Sequence, residues 1–183
     1  MAAFRTRTSR SATTSALPET PPLPWLYSYR EEGRSTRLGQ SVLRPFVQVS
    51  LVHREQSTSQ LSGLIDTGAD AILASDLLTV ELGIDLRKNE GEDEHAVGGK
   101  VLETRYKTID LRLYPSDGAE DTYIQWQAQV GFVKGWHSDG LVLLGSVGFL
   151  DQFTVTASRF AQAVAVEDHD AFDERFGTVL SES

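Results

Sequence analysis

Two carboxylates stand in a setting that suits acid–base chemistry. Asp66 and Asp70 begin and end an Asp-Thr-Gly-Ala-Asp segment, which directly follows a short apolar, strand-like run. The central Gly68 and Ala69 are small, so backbone or a ligand can approach them closely. A carboxylate held in such a turn can exchange protons with a bound substrate. This segment is therefore the first candidate for a catalytic site.

The cysteine and histidine content and the other acidic residues of the chain give less support to thiol or metal chemistry. The chain has no cysteine, which excludes a thiolate nucleophile, a disulfide framework and a cysteine-based zinc site. The histidines are too far apart for a local metal motif and are interpreted as surface residues: His53, His95, His137 and His169. Calcium binding by Asp66, Asp70 and Asp76 fails on spacing, because a calcium loop needs oxygen ligands at alternate positions. We expect no metal and no cofactor.

Length and charge narrow the class of protein further. A chain of 183 residues with 40% hydrophobic content suits one compact domain with tails. The net charge of −9 argues against nucleic acid as a partner, since phosphate binding needs clustered cations. No apolar run approaches the roughly 20 residues that cross a bilayer, and the first residues lack the apolar stretch of a secretory signal. We expect a soluble, cytoplasmic protein without a membrane partner.

Strand signals dominate the middle of the chain. Apolar segments rich in Val, Ile, Leu, Phe and Tyr alternate with polar residues, which favours β structure over helix. The pattern predicts strands over residues 42–53, 61–65, 101–113, 123–133, 141–144 and 153–157. Residues 145–153 are expected to form a turn and a short helix. The fold class predicted is mainly β.

The two ends differ from this middle segment in composition. Residues 1–40 carry six Arg against three acids and a Pro-rich patch, which predicts a flexible N-terminal arm; its first residues have either the composition of an organelle transit peptide or that of a disordered tail. The aromatic cluster 25–29 within it could dock on the domain or on a second subunit. Residues 159–183 carry two Arg against six acids and are expected to be an acidic tail. The domain itself is predicted to span residues 41–158.

Three segments, in order, resemble a known family. Residues 64–70 closely resemble the active-site segment of retropepsin-like, retroviral-type aspartic peptidases. Residues 96–100, Ala-Val-Gly-Gly-Lys, are similar to the glycine-rich flap of that family, and Leu143-Leu-Gly145 is similar to the signature before its C-terminal helix. The resemblance covers residues 42–157. It implies a closed-barrel-like acid protease fold with one short C-terminal helix of the core.

The same resemblance implies an activity and a set of site residues. In that family two Asp-Thr-Gly loops meet at a twofold axis and their carboxylates share a proton. This sequence has one such triplet, so the resemblance implies a homodimer that hydrolyses peptide or protein substrates as an aspartic endopeptidase. The implied catalytic residues are Asp66, Thr67 and Gly68, with Asp66 as the acid–base group. The implied substrate-binding residues are Ala69 and Asp70 of the loop and Val97, Gly98 and Gly99 of the flap.

Simpler interpretations of the same residues are open. Asp66 could be a turn residue of an ordinary β-protein, and Gly98-Gly99 could form a plain hairpin turn. Asp70 is interpreted as structural or substrate-facing rather than catalytic. The functional alternative is a catalytically silent retropepsin-fold module that serves binding or dimerisation.

Overall fold

The fold is built almost entirely from β-strands. The structure is a computed structural model and describes residues 23–34, 41–97, 99–137 and 140–180. Its strands are β1 Trp25–Ser28, β2 Arg30–Arg34, β3 Ser41–Arg44, β4 Phe46–His53, β5 Gln56–Ser57, β6 Leu61–Ile65, β7 Ile72–Ser75, β8 Glu92–Val97, β9 Lys100–Tyr114, β10 Ile124–Val133, β11 Leu141–Leu144, β12 Thr154–Ser158 and β13 Ala163–Glu167. Its helices are α1 Leu78–Glu81, a 3₁₀ helix Leu86–Lys88 and α2 His169–Leu180.

Six strands close into a barrel. Their order is β4, β6, β11, β7, β10 and β9, and β9 pairs back onto β4 to complete the ring. Outside the ring, β5 pairs with β4, and β8 pairs with β9 in a long hairpin. Closure satisfies the backbone groups that an open sheet would leave unpaired at its edges. The mainly β, closed-barrel fold that the sequence predicted is confirmed.

The alternation seen in the sequence decides which side chains fill the barrel. Along β10 the apolar residues Trp126, Ala128 and Val130 are buried, while the glutamines between them are exposed. Successive side chains of a strand point to opposite faces, so this period of two separates a core face from a solvent face. Phe149 and Phe153 pack against Trp126, with the Trp126 and Phe153 rings 5.0 Å apart and perpendicular. These aromatic rings help fill the core on the side where β12 begins.

A second sheet joins the two ends of the chain to the barrel. Strand β13 lies between β1 and β12 and is antiparallel to both. Trp25 and Tyr27 are buried opposite Val166 and Val164, in one core with the barrel residues. The Tyr27 hydroxyl donates a hydrogen bond of 2.7 Å to the carbonyl of Tyr114 at the end of β9. The packed unit therefore extends beyond both boundaries predicted at residues 41 and 158.

Three features outside the barrel strands can be compared with the sequence predictions. Of the two docking sites left open for the aromatic cluster 25–29, the structure shows its own domain, where β1 pairs with β13. Residues 146–152, predicted as a short helix, form consecutive turns in which the Phe153 N–H donates to the Phe149 carbonyl. The predicted tail contains both β13 and the 12-residue helix α2. None of the described helices is long and apolar enough to cross a bilayer.

The burial of β1 can be tested by comparing two neighbours on the strand. Tyr27→Ala should lower the free energy of unfolding by about 3–5 kcal/mol, since it removes a large core side chain. Leu26→Ala, whose parent side chain is 63% exposed on the opposite face, should change it by no more than about 0.5 kcal/mol. Urea unfolding followed by tryptophan fluorescence measures both values. Equal effects of the two substitutions would show that β1 is not part of the core.

Candidate active site

Asp66 lies where two parallel strands end together. Strand β6 runs parallel to β11, with Ile65 paired to Leu144, and Asp66 is the next residue. Its N–H donates a hydrogen bond of 3.1 Å to the carbonyl of Leu144. The backbone of Asp66 is therefore fixed by the ladder that closes the barrel. Its side chain is half-buried at the rim.

The turn after Asp66 folds back on its carboxylate. The Gly68 N–H donates a hydrogen bond of 2.9 Å to Asp66 Oδ1, and the Ala69 N–H donates one of 3.1 Å to the Asp66 carbonyl. A Cβ at position 68 would lie 3.2 Å from Asp66 Oδ1, which is tighter than most Cβ contacts. A glycine here lets the N–H reach the carboxylate without crowding it. Gly68 thus orients the Asp66 carboxylate.

The second half of the loop is held by the chain that follows β11. Ser146 and Val147 donate backbone hydrogen bonds of 2.8 and 2.9 Å to the carbonyls of Ala69 and Asp70. A Cβ at position 145 would lie 2.5 Å from the Ala69 carbonyl oxygen and still closer to that of Ala71. Only glycine fits at 145 without moving this backbone. The Leu-Leu-Gly signature is therefore in direct contact with the Asp-Thr-Gly loop.

The side chains of the loop differ in exposure and charge. Asp66 and Ala69 are half-buried, whereas Thr67, Gly68 and Asp70 are exposed. Neither Asp66 nor Asp70 forms an ion pair with any residue that the structure describes. Across the same residues, no group of three His, Asp or Glu side chains is placed to hold a metal ion. The carboxylate of Asp66 is thus held by a single backbone amide, that of Gly68, at an open rim.

Thr67 borders an apolar cavity on the outside of the barrel. The cavity measures about 510 Å³, and its apolar lining includes Leu150, Phe153, Val155 and Phe172. Strand β12 forms one wall, and within the described part of the chain β12 is paired only to β13. An unpaired strand edge beside an apolar hollow is a surface that another chain can cover.

The segment predicted as a flap forms a hairpin of β8 and β9. Val97 pairs with Lys100, so residues 98 and 99 connect the two strands. Gly99 has a φ of +79°, a left-handed conformation that favours glycine. Gly98 lies outside the described residues. The structure thus places Val97 and Gly99 at the tip of a long hairpin.

An ion pair fixes the base of this hairpin. Glu90 accepts hydrogen bonds from Lys107 Nζ at 2.7 Å and from the N–H of Thr108 at 2.9 Å. The Lys107 ammonium and the Thr108 hydroxyl lower the pKa of the Glu90 carboxyl to about 2. Glu90 therefore stays ionised through the acid range in which its ordinary pKa would let it become neutral. The hairpin base keeps this contact in mild acid.

The sequence did not predict any site role for two residues of the hairpin, His95 and Tyr106. His95 Nε2 and the Tyr106 hydroxyl are hydrogen-bonded across β8 and β9. Burial, and then the charges of Asp93 and Asp70, raise the pKa of the Tyr106 phenol. A period of two along 101–113 puts Tyr106 on the face opposite Arg105 and Lys107, but no local pattern shows which residues of other strands it meets. Pairing between strands supplies that information, since Tyr106 lies opposite Gly131 and Gly131 lies opposite Leu73 of β7.

Comparisons with known proteins found similar solved structures but no match to a family model or a curated protein. Among solved structures, the chain is similar to one described as a retropepsin-like aspartic protease from Rickettsia conorii. The two share 14% sequence identity with a TM-score of 0.47, and the match covers 80% of this chain and 92% of the other.

The contact at Gly145 makes a direct prediction about the loop. Gly145→Ala should lower the free energy of unfolding by about 1–3 kcal/mol or more, because the new methyl group meets backbone oxygens that cannot rotate away. Gly91→Ala is the matched control, since its Cβ would meet no heavy atom closer than 3.8 Å. Thermal and urea unfolding of both variants measure the difference. A Gly145→Ala protein as stable as the Gly91→Ala protein would contradict the close contact.

Proposed function

We propose that this protein is an aspartic endopeptidase that works as a homodimer. The observation that carries the proposal is the half-buried Asp66 carboxylate, held by the Gly68 N–H at the ends of β6 and β11. A catalytic carboxylate must be held in one orientation and still reach a substrate. Asp66 meets both requirements, since its backbone is fixed and the loop around it opens at the rim.

Asp66 suits the acid–base role better than Asp70. Its carboxylate accepts a backbone N–H inside the turn, whereas the Asp70 side chain is exposed at the end of the loop. The carbonyl of Asp70 is held by Val147, so its backbone is ordered while its side chain faces outwards. We assign Asp70 and Ala69 to the binding of substrate beside the catalytic carboxylate.

The second carboxylate comes from a second copy of the chain. The sequence has a single Asp-Thr-Gly triplet, and acid–base catalysis of this type needs two carboxylates in contact. The exposed Thr67 and the apolar cavity beside it lie on one face with the edge of β12. A second copy docked on this face by a twofold axis would bury the cavity and bring the two Asp66 loops together. Thr67 would then bind across the axis.

The chemistry follows from two carboxylates that share one proton. Like charges in contact cannot both ionise freely, so one carboxyl stays protonated while the other is charged. The charged carboxylate takes a proton from a water molecule as the water oxygen attacks the peptide carbonyl carbon. The protonated carboxyl donates its proton to the carbonyl oxygen. In the breakdown of the tetrahedral intermediate, the carboxylate that is now charged takes a proton from one hydroxyl of the intermediate and a new carbonyl forms. The other carboxyl donates its proton to the leaving nitrogen as the carbon–nitrogen bond breaks.

The β8–β9 hairpin is the candidate cover of the site. Its tip, Val97 with Gly98 and Gly99, would close over the substrate and exclude water from the reacting groups. Two successive glycines allow the peptide backbone of a substrate to approach the tip closely. On this proposal a peptide lies between the hairpin and the two Asp66 loops.

The assignment of Asp66 is tested by a substitution that keeps its shape. Asp66→Asn should lower kcat on a peptide library by about 10²–10⁴-fold or more, because it removes the ionisable group. Asp70→Asn should weaken substrate binding or stability and leave part of kcat. Assays from acid to neutral pH, with circular dichroism to confirm folding, separate the two. Unchanged turnover in Asp66→Asn excludes the assignment, and a folded wild-type dimer without turnover supports the silent module.

The proposed dimer predicts that activity depends on self-association. Specific activity per chain should fall on dilution, and an excess of Asp66→Asn chains should suppress wild-type activity by forming mixed dimers. Ala157 is exposed on β12 and lines the cavity, so adding Ala157→Asp to the Asp66→Asn chain should remove this suppression. Sedimentation alongside the assays reports the oligomeric state. Full specific activity from a monomer would rule out the shared site.

A further inference from the structure

His95 and Tyr106 join the two strands of the hairpin through their side chains. His95 Nε2 and the Tyr106 hydroxyl are hydrogen-bonded, and the two rings meet edge to face with centroids 6.0 Å apart. Both side chains are half-buried. A neutral imidazole can accept a hydrogen bond from the phenol at Nε2 when Nδ1 carries the ring hydrogen. The contact lies two residues before the hairpin tip at Val97.

The two partners lie on strands that differ in pairing. Tyr106 belongs to β9 and pairs with Gly131 in the middle of the long β9–β10 ladder. His95 belongs to β8, which within the described residues is paired on one side only, to β9. A strand paired on one side has fewer hydrogen bonds to hold it than a strand paired on both. The side-chain hydrogen bond therefore links an edge strand to a strand inside the sheet.

Gly131 shows where the Tyr106 ring lies on the barrel. A Cβ at position 131 would lie 2.7 Å from Thr104 Cγ2, 2.8 Å from Leu73 Cδ2 and 3.0 Å from Tyr106 Cε1. The space that a side chain would fill at 131 is thus taken by these three side chains. Leu73 lies on β7, the strand that follows the Asp66 loop. Tyr106 of the hairpin and Leu73 of β7 therefore share the space beside Gly131.

Burial, and then the charges of Asp93 on β8 and Asp70 at the end of the loop, raise the pKa of the Tyr106 phenol. All three favour the neutral phenol over the phenolate, so the hydroxyl keeps its proton. Its hydrogen-bond partner in the structure is His95 Nε2, and which of the two donates depends on the His95 tautomer.

We propose that His95 and Tyr106 form a latch that holds β8 against β9 and so keeps the hairpin in place as the cover of the candidate site. Tyr106 is then a positioning residue for peptide binding, and it acts through the hairpin rather than on the reacting atoms. The latch rests on the proposed peptidase function for its catalytic consequence. Its structural consequence, a closed β8, is independent of activity.

Substitutions that remove one hydrogen-bonding atom test the latch. Tyr106→Phe and His95→Phe keep aromatic rings but lose the bond, and a bond of this kind changes an equilibrium by roughly three- to tenfold. KM for a peptide substrate should rise by that factor while kcat stays within about twofold. The glutamine side chain of His95→Gln can still form a hydrogen bond with the phenol, so this variant should restore KM. Tyr123→Phe, whose parent ring packs against Arg112 and Tyr114, is the control and should change nothing.

Amide hydrogen exchange of the ligand-free protein tests the latch without activity. Exchange in residues 92–97 should speed up by the same factor in Tyr106→Phe and His95→Phe, recover in His95→Gln, and stay unchanged in β7 and β10. If the wild-type protein cleaves no peptide, the proposed function fails, and exchange still supports or overturns the latch. Unchanged exchange in β8 overturns it. Faster exchange with unchanged KM in an active enzyme overturns its role in positioning substrate.

Discussion

The close approach of Gly145 to the backbone of Ala69 and Ala71 is the constraint on which the candidate site depends. It brings the chain after β11 against the chain after β6, and backbone hydrogen bonds from Ser146 and Val147 then fasten the loop. A side chain at 145 would hold these two segments apart. The position of the Asp66 carboxylate is thus decided by backbone contacts, which have less freedom to adjust than side chains.

The barrel makes this contact possible. Because β6 and β11 run parallel and in register, their carboxyl ends reach the rim at the same height, and Asp66 follows one of them directly. The ring of six strands closes through β4 and β9, so neither strand can slide without breaking ladders on both sides. A functional group on a rigid rim is pre-organised, and less free energy is spent in orienting it when a substrate binds.

The proposed enzyme uses two different surfaces beside the loop. Thr67 borders the apolar cavity next to the edge of β12, where we propose that a second copy docks. The β8–β9 hairpin, which carries His95 and Tyr106, is the part that we propose as the cover. The low pKa of Glu90 keeps the base of that hairpin tied to Lys107 at mildly acid pH, where a shared-proton pair of carboxylates would operate. On this proposal, dimerisation and substrate closure use separate elements of the fold.

Much of the fold could be predicted from the sequence, because alternation of apolar and polar residues is a local property. Five of the six barrel strands and the position of Asp66 after an apolar run follow from neighbours along the chain, whereas β7 was not predicted as a strand. The packing of β1 against β13 could not be predicted in this way. Trp25 and Tyr27 meet residues about 140 positions away, and the segment between them and the barrel is polar. The hydrogen bond between the side chains of His95 and Tyr106 also depends on how β8 lies against β9. By itself, the sequence determined the kind of strand and the candidate chemistry; tertiary structure decided which distant backbones and side chains come into contact, because such contacts depend on the register and closure of the whole sheet.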